Sequence, residues 1–399
     1  MRILILTQYY LPETGAPQNR LSSLAKYLAC FGNEVEILTA MPNYPRYEIF
    51  PGYKNKSYHK EVIENISVHR SSIYVSRKKG LIKRLANYFS FVTTSYYCAG
   101  KRLQRPDIII CESPPLFLGI TAVMLKRKWK CKLVFNVSDL WPESAEKMGI
   151  INNKFIIKRS YTLANWIYRN ADLISGQTQG IIETIQKMQP QKKLFWFPNG
   201  VDLSKFNNHV PHVNNNGKFT LLYAGIIGHA QGLEVILHSA AYLKQKTDIQ
   251  FYIIGDGPVK ENLLELKQQL QLCNITFIDN QPSEKIMEWL KLCDAYIVPL
   301  RKLDLFKGAI PSKLFEPLAF GKPVLLGVEG EAKELFIDNA KGGLFYEPEN
   351  ANELTNAIIT LYNNRQLATE LGNNGKHLVN IHFRRDKIAE TFWHQLQQL

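Results

Sequence analysis

Ser312, Lys313 and Glu316 are the residues whose types and spacing most directly allow chemistry in this chain. They lie in AIPSKLFEPLAFGKPVLL, Ala309 to Leu326, which reads as a helix start followed by a buried strand. Pro311 and Ser312 suit the first positions of a helix. The helical repeat then puts Ser312, Lys313 and Glu316 on one face and leaves Leu314, Phe315, Leu318 and Ala319 for packing. A helix N-terminus has free N–H groups and a partial positive charge, so it can hold a phosphate. Lys313 adds a full charge there, and Glu316, one turn on, can accept hydrogen bonds from a ribose diol. A nucleoside diphosphate carrying a sugar fits that arrangement; a capped helix with a solvent-facing Glu–Lys pair fits the same residues.

The elements needed to position such a site are legible as short apolar runs alternating with amphipathic stretches, the pattern of a parallel sheet flanked by helices. In the first half the runs are Ile3–Leu6, Val35–Leu38, Ile108–Ile110, Leu133–Val137 and Leu173–Ser175. In the second they are Thr220–Tyr223, Phe251–Ile254, Ile275–Ile278, Ala295–Val298 and Pro323–Leu326. The polar stretch from Pro198 to Lys218, rich in Asn with Pro and Gly, marks a linker. At 399 residues the chain has length for two cores, so we expect an α/β protein of two Rossmann-like domains joined near residue 200. Ligands of such sheets bind beyond the carboxyl ends of the strands. The segments that follow the runs, PETGAPQNR, MPNYPR, CESPPLF, SDLWPES, GIIGHAQGLE, GDGP and DNQP, are turns carrying polar and aromatic groups.

A net charge of +14 and a pI near 9.3 point to an anionic partner: a nucleotide, a phospholipid surface or a nucleic acid. Between Val75 and Pro106 there is no acidic residue, while Lys78, Lys79, Lys83 and Arg84 are interleaved with Ile82, Tyr88 and Phe89. This segment suits an anionic membrane surface, and a solvated basic helix fits it too; no nucleic-acid recognition motif accompanies it. The six cysteines are far apart with no CxxC, which reads as reduced thiols rather than a disulfide frame or metal site. The apolar core of MRILILTQYYLPE is short for a signal peptide, and the run from Ile108 to Leu125 is broken by Glu112, Pro114 and Pro115.

Taken together and in order, YYLPETGAPQNRLSSLAKYL, TAMPNYP, SPPLF, SDLWPESA, PNGVD, AGIIGHAQGLE, IIGDGP and IPSKLFE resemble the retaining glycosyltransferases of GT-B fold, in the bacterial glycogen-synthase-like and mannosyltransferase-like family. More narrowly, the chain resembles the branch that builds O-antigen and capsule, including fucosamine and fucose transferases. The resemblance implies two Rossmann-like domains facing across a cleft. Residues 1–200 would bind the acceptor, with a helix from about 380 to 399 packing back on them, and residues 201–379 would bind the nucleotide sugar. It implies transfer of a sugar, with a 6-deoxy sugar such as fucose or N-acetylfucosamine as the candidate, from a UDP-linked donor to a polyprenyl-diphosphate-linked acceptor. It further implies no metal, no cofactor beyond the co-substrate, and a cytoplasmic enzyme peripheral to the inner face of the membrane.

Carried over residue by residue, the resemblance assigns donor contacts to Gly15, Ala16, Gly228, His229, Gln231, Gly255, Gly257, Gln281, Ser312, Lys313, Leu314 and Glu316. It assigns acceptor contacts to Asn43, Tyr44 and Trp141, and catalytic roles to Lys313, Asp139 and Glu112, the last two as carboxylates on the first domain's rim. Asp139 equally suits the cap of a helix starting at Pro142, and Trp141 a place in the core. Three departures matter. Gly308 stands where the family's first signature acid would be, and Ile226 and Gln231 stand where it has Arg and Lys. Lys313 is then the natural replacement cation, with His229 as helper, and Pro317 is expected to loosen the first helical turn. A sugar-nucleotide epimerase of the same fold and a non-catalytic membrane-bound scaffold are the alternative classes.

Overall fold

The computed structural model describes residues 1–44, 47–77, 80–147, 153–206 and 217–399. The chain divides into two units, Met1–Asn199 with Arg385–Leu399, and Gly200–Arg384. The C-terminal return to unit 1 thus starts at Arg385 and not near residue 380, because a helix of unit 2 runs on to His382.

Unit 1 is built on eight strands: β1 (Arg2–Leu6), β2 (Glu34–Ala40), β3 (Tyr58–Ile63), β4 (Ile66–Ser71), β5 (Ile108–Ser113), β6 (Lys132–Val137), β7 (Leu173–Gly176) and β8 (Lys193–Trp196). Their order is β3-β4-β2-β1-β5-β6-β7-β8, and only β3–β4 pair antiparallel. Alternate side chains of β1 enter different cores, Leu4 and Leu6 on one face and Ile3 and Ile5 on the other. A strand apolar on both faces needs helices on both, which parallel crossovers supply. These are α1 (Ala16–Cys30), α2 (Leu81–Arg102), α3 (Leu118–Trp129), α4 (Glu143–Lys147), α5 (Lys154–Asn170) and α6 (Gln179–Met188). Local chemistry starts them: Asn153 accepts from the amides of Phe155 and Ile156 at α5, and Thr178 from Ile181 at α6.

Unit 2 is a six-stranded parallel sheet of β9 (Phe219–Ala224), β10 (Ile249–Ile254), β11 (Ile275–Ile278), β12 (Ala295–Pro299), β13 (Val324–Gly327) and β14 (Gly343–Phe345), ordered β11-β10-β9-β12-β13-β14. Its helices are α7 (Glu234–Tyr242), α8 (Lys260–Gln269), α9 (Ser283–Leu292), α10 (Phe315–Ala319), α11 (Glu331–Lys333), α12 (Ala351–Asn363) and α13 (Arg365–His382). The last helix, α14 (Arg385–Gln397), belongs to unit 1. There Phe392 stacks on Phe197 at 4.7 Å, and Arg385 donates to the Asn19 carbonyl and the Ser23 hydroxyl of α1, each at 3.1 Å.

Strand order reverses between β1 and β5 in unit 1 and between β9 and β12 in unit 2. At such a switch point the following crossovers leave in opposite directions and open a crevice at the carboxyl ends of the strands. Each unit therefore has one obvious place for a ligand, at its own switch point. Among the described residues no helix is long and apolar enough to cross a membrane.

Candidate functional site

In unit 2 the turns after β9 and β10 lie side by side, backbone against backbone. The Gly225 amide donates to the Ile254 carbonyl and the Ile227 amide to Asp256, each at 2.9 Å. A Cβ on Gly255 would come within 2.0 Å of the Gly225 carbonyl oxygen, and one on Gly257 within 2.2 Å of that of Ile227. Gly255 and Gly257 are thus required by the close approach of the two turns. Gly228 opens a three-ten turn, His229–Gln231, that leaves the His229 side chain exposed and Gln231 half-buried.

Beside these turns, the β9–β12 ladder stops at Leu222 and Tyr296. The Tyr296 hydroxyl takes its place, donating to the Ala224 carbonyl at 2.8 Å and accepting from the Ala224 amide at 3.1 Å. The strands part there, and Lys313 enters the gap. Its ammonium lies 4.1 Å from the centre of the Tyr223 ring and donates to the Tyr223 hydroxyl. Gly225 makes room: a Cβ there would stand 2.9 Å from Lys313 Nζ. Burial pulls the Lys313 amine down to about 7.

Lys313 has no carboxylate within ion-pair distance among the described residues, unlike its neighbours in the loop after β12. Arg301 is held by Glu234 at 2.8 Å and Glu349 at 3.0 Å, Lys302 by Glu347, and Lys307 by Asp304 at 2.8 Å. Ile226, where the resemblance led us to look for an arginine, is 54% exposed.

The helix expected from Ser312 is corrected. Ser312–Leu314 form a three-ten turn, closed by the Leu314 amide on the Pro311 carbonyl at 3.1 Å, and α10 has only five residues. Pro317 lacks the amide that would continue the α-helical ladder back to Lys313. So short a helix adds little dipole, and the positive charge at this corner belongs to Lys313 itself. Phe315, packed on Phe336 at 5.7 Å and Phe383 at 5.1 Å, fixes the segment. Leu314 is fully buried and its amide is taken by the Pro311 carbonyl, so the expected donor contact at Leu314 is not offered, whereas Ser312 and Glu316 are exposed. Gln281 is half-buried, its amide on the Asp279 carbonyl at 3.1 Å.

At the switch point of unit 1 the structure revises Glu112. Expected on the rim, it is 2% exposed and paired with Arg20 of α1 at 2.6 Å. Asn136 donates to its second oxygen at 2.6 Å, and Ser138 donates to its first. Arg20 also donates to Asn199 at 2.9 Å and Ser138 at 2.7 Å. A carboxylate bound this completely holds the fold and is not a free base. Asn43 is revised likewise: it is 1% exposed and its side chain donates to the Met41 carbonyl at 2.9 Å.

Asp139 remains near the surface, half-buried, accepting from the Ser144 hydroxyl in a cap-like bond to α4. Burial pushes its carboxyl upward against the lowering effect of that bond. Gly15 precedes α1 and Ala16 begins it, and that helix start has no side-chain cap and no acid in its first turn. Glu13, which sequence reasoning passed over, is buried and accepts from the amides of Asn43 at 2.7 Å, Tyr44 at 2.8 Å and Tyr10 at 3.2 Å, so it ties the turns after β1 and β2 together.

Aromatic rings follow this end of the unit 1 sheet. Tyr9 meets Tyr44 at 5.8 Å and Tyr44 meets Tyr47 at 6.3 Å; farther along, Tyr88 meets Phe117 at 6.0 Å and Phe117 meets Trp141 at 5.3 Å. Trp141 and Tyr44 are half-buried, each with one part in contact with the protein and another open. The sequence signal for this wall is the recurrence of aromatic residues in successive post-strand segments; only Tyr44 and Trp141 were singled out from it.

Residues 15–200 match the family described as glycosyl transferase 4-like domain, and residues 204–378 match the one described as glycosyl transferases group 1. A putative colanic acid biosynthesis glycosyl transferase of Escherichia coli is 26% identical over 90% of this chain and 91% of its own. An N-acetylgalactosaminyltransferase of Campylobacter jejuni, named for a diphospho-undecaprenol substrate, is 25% identical over 56% of this chain and 58% of its own. Among solved structures, sucrose-phosphate synthase from Thermosynechococcus elongatus aligns with a TM-score of 0.75 at 16% identity, over 100% of this chain and 99% of the other. Anabaena HepE in complex with UDP-glucose aligns with a TM-score of 0.71 at 16% identity over 100% of both chains.

The buried pair in unit 1 gives a direct expectation. Glu112→Ala leaves the Arg20 guanidinium buried without its carboxylate, which should lower stability by about 3–5 kcal/mol in denaturant unfolding. An unchanged unfolding midpoint would return Glu112 to the set of free rim carboxylates.

Proposed function

The chain belongs to the glycosyltransferases, a 4-like domain followed by a group 1 domain in the GT-B architecture, and from that premise we propose a retaining enzyme that takes its sugar from a UDP-linked donor. Its acceptor in this reading is a sugar carried on a polyprenyl diphosphate, and its product a bacterial surface polysaccharide. The observation that carries the proposal is the Lys313 ammonium, set at the switch point of unit 2 without a carboxylate partner among the described residues. A cation so placed lacks a counter-charge that a diphosphate would supply. The relative named for a diphospho-undecaprenol substrate and the neighbour bound to UDP-glucose support the choice of acceptor and donor classes.

In this reading Lys313 and the Ile226 and Gly228 amides of the turn after β9 hold the diphosphate, with His229 and Gln231 beside it. Glu316 takes the ribose diol, and the turn at Gln281 takes the base. The bond from the sugar C1 to the diphosphate oxygen breaks, with its electron pair going to the phosphate, where positive charge is already in place. The acceptor hydroxyl oxygen bonds to C1 on the same face. Its proton goes to the leaving phosphate or to Asp139, whose carboxyl burial pushes upward and so makes a stronger base than an ordinary surface aspartate. The aromatic wall with Tyr44 and Trp141 gives the acceptor sugar a stacking surface. A 6-deoxy donor sugar agrees with Gly308, which offers no carboxylate to a sugar hydroxyl.

The same reading puts the enzyme at an anionic membrane surface. On α2, Ile82 is 82% exposed and Phe89 and Tyr97 are also exposed, with Lys83 and Arg84 nearby and no acid from Val75 to Pro106. Apolar side chains open to solvent within a basic helix suit insertion among anionic headgroups. Lys78 and Lys79 lie outside the described residues.

Incubating a lipid-linked acceptor with a panel of nucleotide sugars and measuring product mass tests the activity; no product from any UDP-sugar would overturn the donor assignment. Lys313→Ala should weaken nucleoside diphosphate binding by about 1.5–3 kcal/mol in calorimetry, the range for losing a hydrogen bond to a charged group. Glu316→Gln should weaken a ribonucleotide donor and leave a 2′,3′-dideoxy analogue nearly unaffected, whereas equal losses would remove the ribose from Glu316. For the membrane, replacing Lys78, Lys79, Lys83 and Arg84 with Ser should release the protein from anionic vesicles, at about 1 kcal/mol per cation. Co-sedimentation equal to wild type would make the segment a solvated face.

A further inference from the structure

Lys313 does not hold its own position. The stem is long and flexible, the segment around it is a three-ten turn, and no carboxylate fixes the ammonium. What fixes it is Tyr223, the next-to-last residue of β9. The ammonium sits 4.1 Å from the ring centre and donates to the hydroxyl oxygen. The same hydroxyl donates its proton to the Ile226 carbonyl at 2.6 Å, inside the turn that follows β9. One side chain thus touches both the cation and the loop, and does so from a buried strand, where its position is set by the sheet.

We propose that Tyr223 is the positioning residue of the diphosphate site, its ring and hydroxyl holding the Lys313 ammonium and the Gly225–Gly228 turn in one fixed arrangement. This rests on the reading of Lys313 as the phosphate-neutralising group. The ring face gives a cation a partner that carries no net charge, so the ammonium is oriented without being neutralised. A glutamate in the same place would orient it too, but would repel the incoming phosphate. The hydroxyl relay has a direction: the Tyr223 proton goes to a backbone carbonyl, which leaves the oxygen lone pairs for Lys313. Gly225 completes the seat, since a Cβ would press on Lys313 Nζ at 2.9 Å and Cε at 3.0 Å.

The arrangement makes diphosphate binding depend on pH. Lys313 titrates near 7 in the free protein because it is buried, and an anion beside it favours the charged form. Below that value the amine is already charged and adds no further pH dependence of its own. Above it, binding must take up a proton, and affinity falls by up to tenfold per pH unit. The other titratable groups at this corner are Tyr223 on β9, Tyr296 on β12, His229 after β9 and Glu316 beyond Lys313. Burial pushes both phenols upward, so neither ionises in that range, and His229 and Glu316 are exposed. The terminal phosphate of a nucleotide, with its last pKa near ~6, is fully ionised there as well.

The test is UDP binding by calorimetry across this range in the full-length protein, with thermal melting to verify folding. Wild type should show the decline above about pH 7. Tyr223→Phe keeps the ring and loses the hydroxyl; it should bind roughly fivefold more weakly, the equivalent of one hydrogen bond. Its decline should also begin at lower pH, because the charged amine has lost an acceptor. Tyr223→Leu should lose more than Tyr223→Phe on both counts, and Lys313→Ala should flatten the profile. If Tyr223→Phe matches wild type in affinity and midpoint while Lys313→Ala is flat, the phosphate reading stands and Tyr223 is only core. A weaker Tyr223→Phe whose midpoint has not moved also overturns the positioning role. If Lys313→Ala keeps the wild-type profile, or wild type does not bind UDP, the reading of the site falls and this inference with it.

Discussion

A half-buried amine with no carboxylate beside it among the described residues is costly, and unit 2 keeps one at Lys313. Burial lowers its proton affinity to the point where it ionises near neutrality. The surroundings make that tolerable without neutralising it: an aromatic face, a hydroxyl, and a glycine that yields space. The parting of β9 and β12 creates the gap, the Tyr296 hydroxyl keeps the Ala224 backbone satisfied where the ladder ends, and Phe315 secures the segment carrying the lysine. The neighbouring cations are all occupied, so free positive charge is focused at one position.

Unit 1 treats its own switch point in the opposite way. Arg20 and Glu112 meet there at 2.6 Å, each almost fully buried, and Asn136, Ser138 and Asn199 add hydrogen bonds, leaving only the Arg20 Nε of the pair without a partner among the described residues. The charges cancel, and what faces outward along the rim is aromatic. Two sheets of one general topology thus present different surfaces, one cationic and one apolar with polar edges. An anionic nucleotide and a glycan differ in the same sense, which is the physical basis for assigning the donor to unit 2 and the acceptor to unit 1.

Much of the fold was legible because strands buried on both faces read as apolar runs: ten such runs coincide with β1, β2, β5, β6, β7 and β9 to β13. The rest had weaker signals. β3, Tyr58–Ile63, mixes charged and apolar residues because it is the sheet's edge strand; β4, Ile66–Ser71, is interior but carries His69 and Arg70, which bond to Glu36 and Glu61; and β8 and β14 are four and three residues long. At the site, Lys313 and Glu316 were visible from spacing alone. The length of the helix there was misjudged although Pro317 was in view, because the three-ten turn before it is decided by packing of Phe315. Glu112 and Asn43 misled for one reason: a post-strand polar residue looks the same in sequence whether it faces solvent or a buried arginine. Tyr223 was hidden by its own strand, where an aromatic residue reads as core and its hydroxyl carries no periodicity.

The glycines separate what the backbone demands from what the ligand site permits. Gly255, Gly257 and Gly343 are forced, since a Cβ on any of them would come within about 2 Å of a carbonyl oxygen. Gly308 is different: nothing lies within 4 Å of the Cβ it lacks, and its φ is not in the left-handed range. Neither backbone strain nor packing accounts for a glycine there. In the resembling family an acid stands at that position, and the space to hold one exists in this chain. The missing carboxylate is therefore a feature of the surface next to the loop and not a by-product of the fold. Together with Ile226 and Gln231 in place of cations, it removes one negative and two positive charges from the segments around Lys313. The corner keeps its one ammonium, while the surface around it becomes less polar.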